Sequence, residues 1–169
     1  AVLTFPESPK LAFVRYQPEL MLHLNHPEER AAHLENLGVD YLYLIDFTSH
    51  FSKNTAQEFF DKYVSALKAK AVVAGFDYHF GSDKRKADEL ADYFDGQVFI
   101  ISSVNQDDEK ISSTRIRQAV QSGDVSKAHQ LLGYPLSTRG IVVHGNARGR
   151  TIGYPTANLA PLDRVILPA

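Results

Sequence analysis

The 169 residues include no cysteine, no tryptophan and one methionine; 44% are apolar, 22% are charged, and the formal net charge is −2. That composition excludes a disulfide scaffold, a Cys-ligated zinc site and a thiol nucleophile. No apolar run approaches the ~20 residues needed to cross a bilayer, and a near-neutral charge gives no electrostatic case for duplex nucleic acid.

At roughly 100–200 residues per domain, the length suits one domain or one and a fraction. Ala1 is followed directly by the apolar run Val2–Phe5 with no basic segment, so a cytoplasmic location is expected. Both ends lie beside apolar runs, Val2–Phe5 and Val165-Ile166-Leu167, which suggests a piece of a longer protein.

Val2–Phe5 reads as a strand. Pro27, Glu28 and Glu29 suit the start of a helix, Leu34 and Leu37 give it an apolar face, and Gly38 suits its end. Residues 39–45 form a β-rich run. Thr55 to Glu58 reads as a capping box, followed by Phe59, Phe60, Tyr63, Val64 and Leu67 at helical spacing. Ala71–Ala74 is a short strand. Residues 83–94 read as a helix with Leu90, Ala91 and Phe94 inward and Lys84-Arg85-Lys86 on its solvated face, and 97–104 as a further strand. Such alternation indicates an α/β fold with a mainly parallel sheet whose strands are buried on both faces. Ligands in such sheets bind beyond the C-terminal strand ends.

Three segments carry candidate chemistry. Gly75-Phe76-Asp77-Tyr78-His79-Phe80-Gly81 follows a strand. Its glycines allow close approach of backbone, its aromatics suit either a pocket for a flat ring or plain cover for the sheet end, and Asp77 suits a hydrogen-bond acceptor. In the second segment, Ser112 or Ser113 caps a helix striped by Ile116, Ala119 and Val120 and ended by Gly123. Ser113, Thr114, Lys110 and Arg117 gather hydroxyls and positive charge at its N-terminus, a setting for phosphate. A packing helix follows from Asp124 to Leu132, with Val125, Ala128, Leu131 and Leu132 apolar and Gly133 at its end.

The third segment is Gly140 to Leu159, a strand running into a loop of Gly145, Gly149, Gly153, Arg148 and Arg150, then Pro155-Thr156-Ala157-Asn158. Glycine-dense loops bring backbone N–H groups to phosphate oxygens. Thr156 and Asn158, two apart, supply hard oxygen donors suited to Mg²⁺ bridged to phosphates. The histidines, among them His23, His26 and His33, read as surface residues.

In this order the motifs resemble the bacterial bifunctional riboflavin kinase/FMN adenylyltransferase family, the FAD synthetases. The resemblance implies a Rossmann-like nucleotidyltransferase over 1–136 and the opening of a riboflavin-kinase β-barrel over 137–169. It implies a transferase that phosphorylates riboflavin to FMN and adenylylates FMN to FAD with release of pyrophosphate. ATP and Mg²⁺ serve both steps, flavins are substrate and product, and neither nucleic acid nor membrane is a partner. By resemblance, Lys110, Ser113, Thr114 and Arg117 contact ATP in the transferase, and Gly75, Asp77 and Phe80 belong to the flavin and nucleotide loop. Gly149, Arg150, Gly153, Thr156 and Asn158 bind ATP in the kinase, with Thr156 and Asn158 holding the metal. The family's His-x-Gly-His motif and its kinase glutamate have no counterpart in these residues, so no catalytic residue is assigned. Phe5-Pro6-Glu7-Ser8-Pro9 also departs from the usual Phe-Asp-Pro-His-Pro. A polypeptide of only these residues is therefore expected to carry neither activity at useful rates. The alternative from another class is a non-catalytic flavin- or nucleotide-binding module.

Overall fold

The computed structural model describes residues 1–12, 22–146, 148–162 and 164–169. Contacts divide it into two units, 1–44 together with 112–169, and 45–111. The boundary expected at 136/137 falls inside the first of these.

In chain order the first unit starts with strand β1 (Val2–Thr4), helix α1 (Pro27–Asn36) and strand β2 (Leu42–Leu44), with β1 and β2 paired in parallel. The His26 ring accepts the Glu28 N–H, and Glu29 accepts the His26 N–H, closing a capping box ahead of Pro27. At the other end Gly38, at φ +83°, donates to Glu35 and Val39 donates to Leu34, a Schellman ending. That use of Val39 is why the strand expected from residue 39 begins only at Leu42. Leu37 is 80% exposed, so Leu34 alone of the expected pair packs inward.

The 45–111 unit contains α2 (Ala56–Phe59), β3 (Ala71–Gly75), β4 (His79–Phe80), β5 (Arg85–Lys86), β6 (Gln97–Ile101), β7 (Asn105–Gln106) and β8 (Glu109–Lys110). Thr55 and Glu58 form the expected capping box. The helix then widens into a π turn over Phe60–Val64, where Ser65 donates to the Phe60 carbonyl, before a 3₁₀ turn. Phe60 and Val64 thereby reach a core with Ala56, Phe80, Ala87 and Leu90, while Leu67 stays exposed. The Phe60 ring lies 5.5 Å from Phe80 and 6.1 Å from Tyr93, in edge and stacked contacts respectively.

The helix expected over 83–94 is instead a turn, the short β4–β5 hairpin and a 3₁₀ segment, Ala87–Asp92. Gly81 at φ +73° and Lys84 at φ +54° turn the chain back. A side chain at Gly81 would sit 2.8 Å from Ala56 Cα, so the turn presses on the start of α2. Arg85 is therefore not on a helix face: it pairs with Asp83 and Glu89. Leu90 is buried and Phe94 partly so, but Ala91 is exposed.

β3 and β6 pair in parallel, and β6 stops at Ile101 rather than Val104. The strands are covered on one face only: Val72, Ala74 and Val98 pack on the core, whereas Val73, Phe99, Ile100 and Ile101 are exposed. The expectation of burial on both faces is corrected accordingly. The fold is mixed α/β with parallel strand pairs, in separate two-stranded sheets rather than one.

The first unit resumes with α3 (Ser113–Gln121), α4 (Val125–Leu132), β9 (Gly140–Val143), α5 (Arg148–Thr151) and β10 (Asn158–Pro161). Ile116, Ala119 and Val120 are buried as expected, with Ala128, Leu131, Val165 and Ile166; Val125 is exposed. Residues 134–139 are tied to α1: Tyr134 stacks on His33 at 4.1 Å, Ser137 donates to Glu29, and Arg139 donates to Glu28. Among the described residues no helix is long and apolar enough to cross a membrane.

Asp83 accepts from both Arg85 and the Ala56 N–H, at 2.9 Å each. These bonds, the Arg85 one foremost, hold its carboxyl below the ordinary 3.8. A carboxyl depressed by folding stabilises above its unfolded value, and the contribution disappears as pH falls through the lower folded value. Asp83→Asn is thus expected to lower the urea midpoint at pH 7, with the gap to wild type closing below pH 3.8. A gap unchanged at low pH would contradict this.

Candidate functional site

β9 and β10 run antiparallel, with Asn158 opposite Val143 and Pro161 opposite Gly140. Between them the chain folds over itself to form a cleft of about 290 Å³ lined by His144, Gly145, Gly149, Arg150, Thr156 and Asn158, with Val142, Val143 and Ala157 beside them. Two glycines make this possible. A Cβ on Gly145 would overlap the Asn158 amide, its Cγ only 2.6 Å away. A Cβ on Gly149 would strike the Tyr154 carbonyl and stand 3.1 Å from Thr156 Oγ1. Gly153, at φ +81°, lies outside the lining but turns the chain so that the Tyr154 N–H reaches the Gly149 carbonyl at 2.8 Å. Thr156 and Asn158 therefore line one cleft with Gly149, Arg150 and the intervening Ala157. Ala147 of this motif lies outside the described residues. His144 was not singled out by the sequence reading, although it directly precedes the cradling Gly145.

The second cluster sits on α3. Ser112, rather than Ser113, is the cap: its hydroxyl accepts the Arg115 N–H at 3.3 Å. This leaves Ser113 and Thr114 exposed on the first turn. Arg117, one turn further on, is half-buried, and burial lowers its proton affinity. Among the described residues no carboxylate pairs with this partly desolvated guanidinium. His23, expected at the surface, has a side chain only 17% exposed and lies 3.5 Å from Glu7, which also binds Arg164. Burial depresses the His23 pKa; Glu7 opposes this, while Arg164, Arg30 and Arg117 add to it. Backbone bonds from the His23 N–H to Arg164 and from the Ile166 N–H to His23 fix that contact.

The third cluster belongs to the 45–111 unit. β3 ends at Gly75, and a turn closed by the Tyr78 N–H on the Gly75 carbonyl projects Phe76 and Asp77. Phe80 is 4% exposed and belongs to the aromatic core, so of the three ring residues it packs rather than lines a pocket. Tyr78 stacks on it at 5.9 Å, and burial raises the Tyr78 pKa. Asp77 is bonded to Lys110, whose ammonium lies 4.8 Å over the Phe76 ring. The Lys110 bond holds the Asp77 carboxyl below its usual range. Lys110 thus sits with the Gly75–Gly81 loop in one unit, while Ser113, Thr114 and Arg117 belong to the other.

Comparisons with known proteins agree with these motifs. The FAD synthetase family's sequence model matches residues 1–115, and that of riboflavin kinase matches 132–169. Proteins named bifunctional riboflavin kinase/FMN adenylyltransferase are similar throughout. The one from Listeria monocytogenes is 42% identical over 99% of this chain and 54% of its own length, and that from Bacillus subtilis 37% over the same shares. The Escherichia coli protein is 39% identical over 86% of this chain and 48% of its own. The chain thus spans about half the length of the curated relatives it matches. A crystal structure described as a macrolide-efflux protein from Streptococcus pneumoniae has a TM-score of 0.96 and 59% identity, covering 99% of this chain and 55% of that one.

The glycine close approach has a local readout. Gly149→Ala is expected to cost about 1–3 kcal/mol through overpacking. Amide exchange at Tyr154, the donor to the Gly149 carbonyl, is expected to accelerate by about fivefold to a hundredfold, following the same destabilisation. Unchanged Tyr154 exchange would show that the contact does not shape the loop.

Proposed function

The chain belongs to the FAD synthetase family, and on that premise we propose that the protein from which it comes makes FMN and FAD from riboflavin and ATP. In the kinase step the ribityl hydroxyl oxygen attacks the ATP γ-phosphorus, the bond to the β-phosphate bridge breaks, ADP leaves and the hydroxyl proton passes to a base. In the transfer step an FMN phosphate oxygen attacks the α-phosphorus and pyrophosphate leaves. Both are displacements at phosphorus in which the protein positions groups and stabilises charge.

The observation that carries this reading is the cleft in which Gly145 and Gly149 bring Thr156 and Asn158 together beside Arg150. A glycine-dense loop of this kind can present N–H groups to phosphate oxygens. The donor set fits Mg²⁺: Thr156 and Asn158, both lining the cleft, offer neutral hard oxygens. Such a set matches an ion that keeps phosphates and waters as its other ligands. Thr156 and Asn158 would hold it, and when bound it neutralises charge on the phosphates. Arg150 adds a guanidinium on the same side, and Gly153 supplies the turn that seats the loop.

In the transferase, Ser113, Thr114 and Arg117 contact ATP phosphates. The half-buried Arg117, with no carboxylate partner among the described residues, supports that role, as does the exposed first turn of α3. In the 45–111 unit, Lys110 contacts phosphate and Gly75 and Asp77 contact the flavin or nucleotide, while Phe80 anchors their loop in the core. The two modules are read as residues 1–136 and 137–169, the latter opening a β-barrel with β9 and β10. A cytoplasmic setting follows from this soluble chemistry.

The test uses the full-length protein and reads both reactions. Thr156→Ala is expected to lower riboflavin phosphorylation by about a hundredfold, the order seen when a charge-stabilising contact is lost, and to leave FAD formation from supplied FMN intact. Arg117→Ala is expected to do the reverse. Loss of both reactions in either variant would contradict the division of roles. A wild-type protein that binds flavin but turns over neither substrate would make it a binding module.

A further inference from the structure

Lys110 has two neighbours competing with the role just proposed for it. Its ammonium is bonded to Asp77 and lies over the Phe76 ring. Its backbone is fixed by the β7–β8 hairpin, where Asp107 and Asp108 at φ +55° and +60° make the two-residue turn. The Lys110 side chain is 43% exposed and that of Asp77 56%, so solvent and soluble anions reach both. An exposed pair of this kind is weak. A polyphosphate carries several charges and more acceptor oxygens than one carboxylate. Lysine suits an exchange, being a point charge with rotatable donors on a flexible stem. When the ammonium leaves, the Asp77 oxygen that held it is open to an N–H donor, such as the imide edge of a flavin.

We propose that Lys110 is a shared cation that passes from Asp77 to a phosphate oxygen of the nucleotide, so that phosphate binding frees the Asp77 carboxylate for the flavin. Asp77 is then a positioning residue for the phosphate contact as well as a ligand for the ring. The two substrates assist each other at this loop, by the same factor in either order. Phe76 holds the ammonium over its ring face during the exchange and keeps it near both partners. This inference rests on the reading of Lys110 as a phosphate ligand.

The sign of one substitution separates this exchange from an ordinary binding role. Pyrophosphate binding to the full chain is measured by calorimetry at low salt. Asp77→Asn, which removes the competitor, is expected to tighten binding by about two- to fivefold, the fold-change matching the strength of an exposed pair. Lys110→Gln is expected to weaken binding, and the double variant to bind like Lys110→Gln. Asp108→Asn removes the same charge at the hairpin tip without touching the pair, and is expected to give no such gain. An Asp77→Asn gain that persists without Lys110, or that Asp108→Asn reproduces, would reduce the effect to net charge and overturn the exchange. Unchanged or weaker binding in Asp77→Asn would also overturn it, leaving Lys110 as a simple phosphate ligand. A wild-type chain that binds neither pyrophosphate nor ATP would overturn both this inference and the reading beneath it.

Discussion

The close approach of backbone to backbone at Gly149, and of backbone to the Asn158 amide at Gly145, is the constraint on which the cleft depends. With a side chain at either position, Gly145 stands off from Asn158, or Gly149 from Tyr154 and Thr156. Thr156 and Asn158 would then lose the glycine backbone they pack against. The antiparallel register of β9 and β10 places Asn158 at the strand end, and the left-handed Gly153 returns the chain to Gly149. Steric exclusion, rather than hydrogen bonding between side chains, sets the site.

Charge is distributed to match. Arg117 is half-buried on α3 without a carboxylate partner among the described residues, whereas Lys110 is exposed and paired with Asp77. A partly desolvated guanidinium favours an anion, because part of its desolvation is already in place. An exposed paired ammonium favours one weakly and can exchange. The two cations expected together at one helix end therefore differ in setting: in the proposed roles Arg117 is a standing receptor and Lys110 a movable one.

Much of this was legible in local sequence chemistry. Capping fixed helix starts at Thr55, Ser112 and Asp124, and glycine marked the ends at Gly38, Gly123 and Gly133, since each depends on a few adjacent residues. The pairing of Thr156 with Asn158 followed from two-residue periodicity. Burial was less legible where a turn breaks the period. Phe76, Tyr78 and Phe80 share parity, yet the turn at Gly75–Tyr78 leaves Phe76 exposed and only Phe80 enters the core. The helix expected over 83–94 failed because Asp83 spends its carboxylate on Ala56 and Arg85, contacts that local pattern does not reveal. The Asp77–Lys110 pair spans 33 residues and has no local signature.

The central claim is that the glycine-shaped cleft seats a metal-bound nucleotide. Its most direct test is the anomalous scattering of Mn²⁺, a stand-in for Mg²⁺, in crystals of the full-length protein grown with ADP. The account predicts an anomalous peak bonded to Thr156 and Asn158, with the ADP phosphates against Gly145 and Gly149. A nucleotide seated elsewhere, with no metal peak at Thr156 and Asn158, would contradict it.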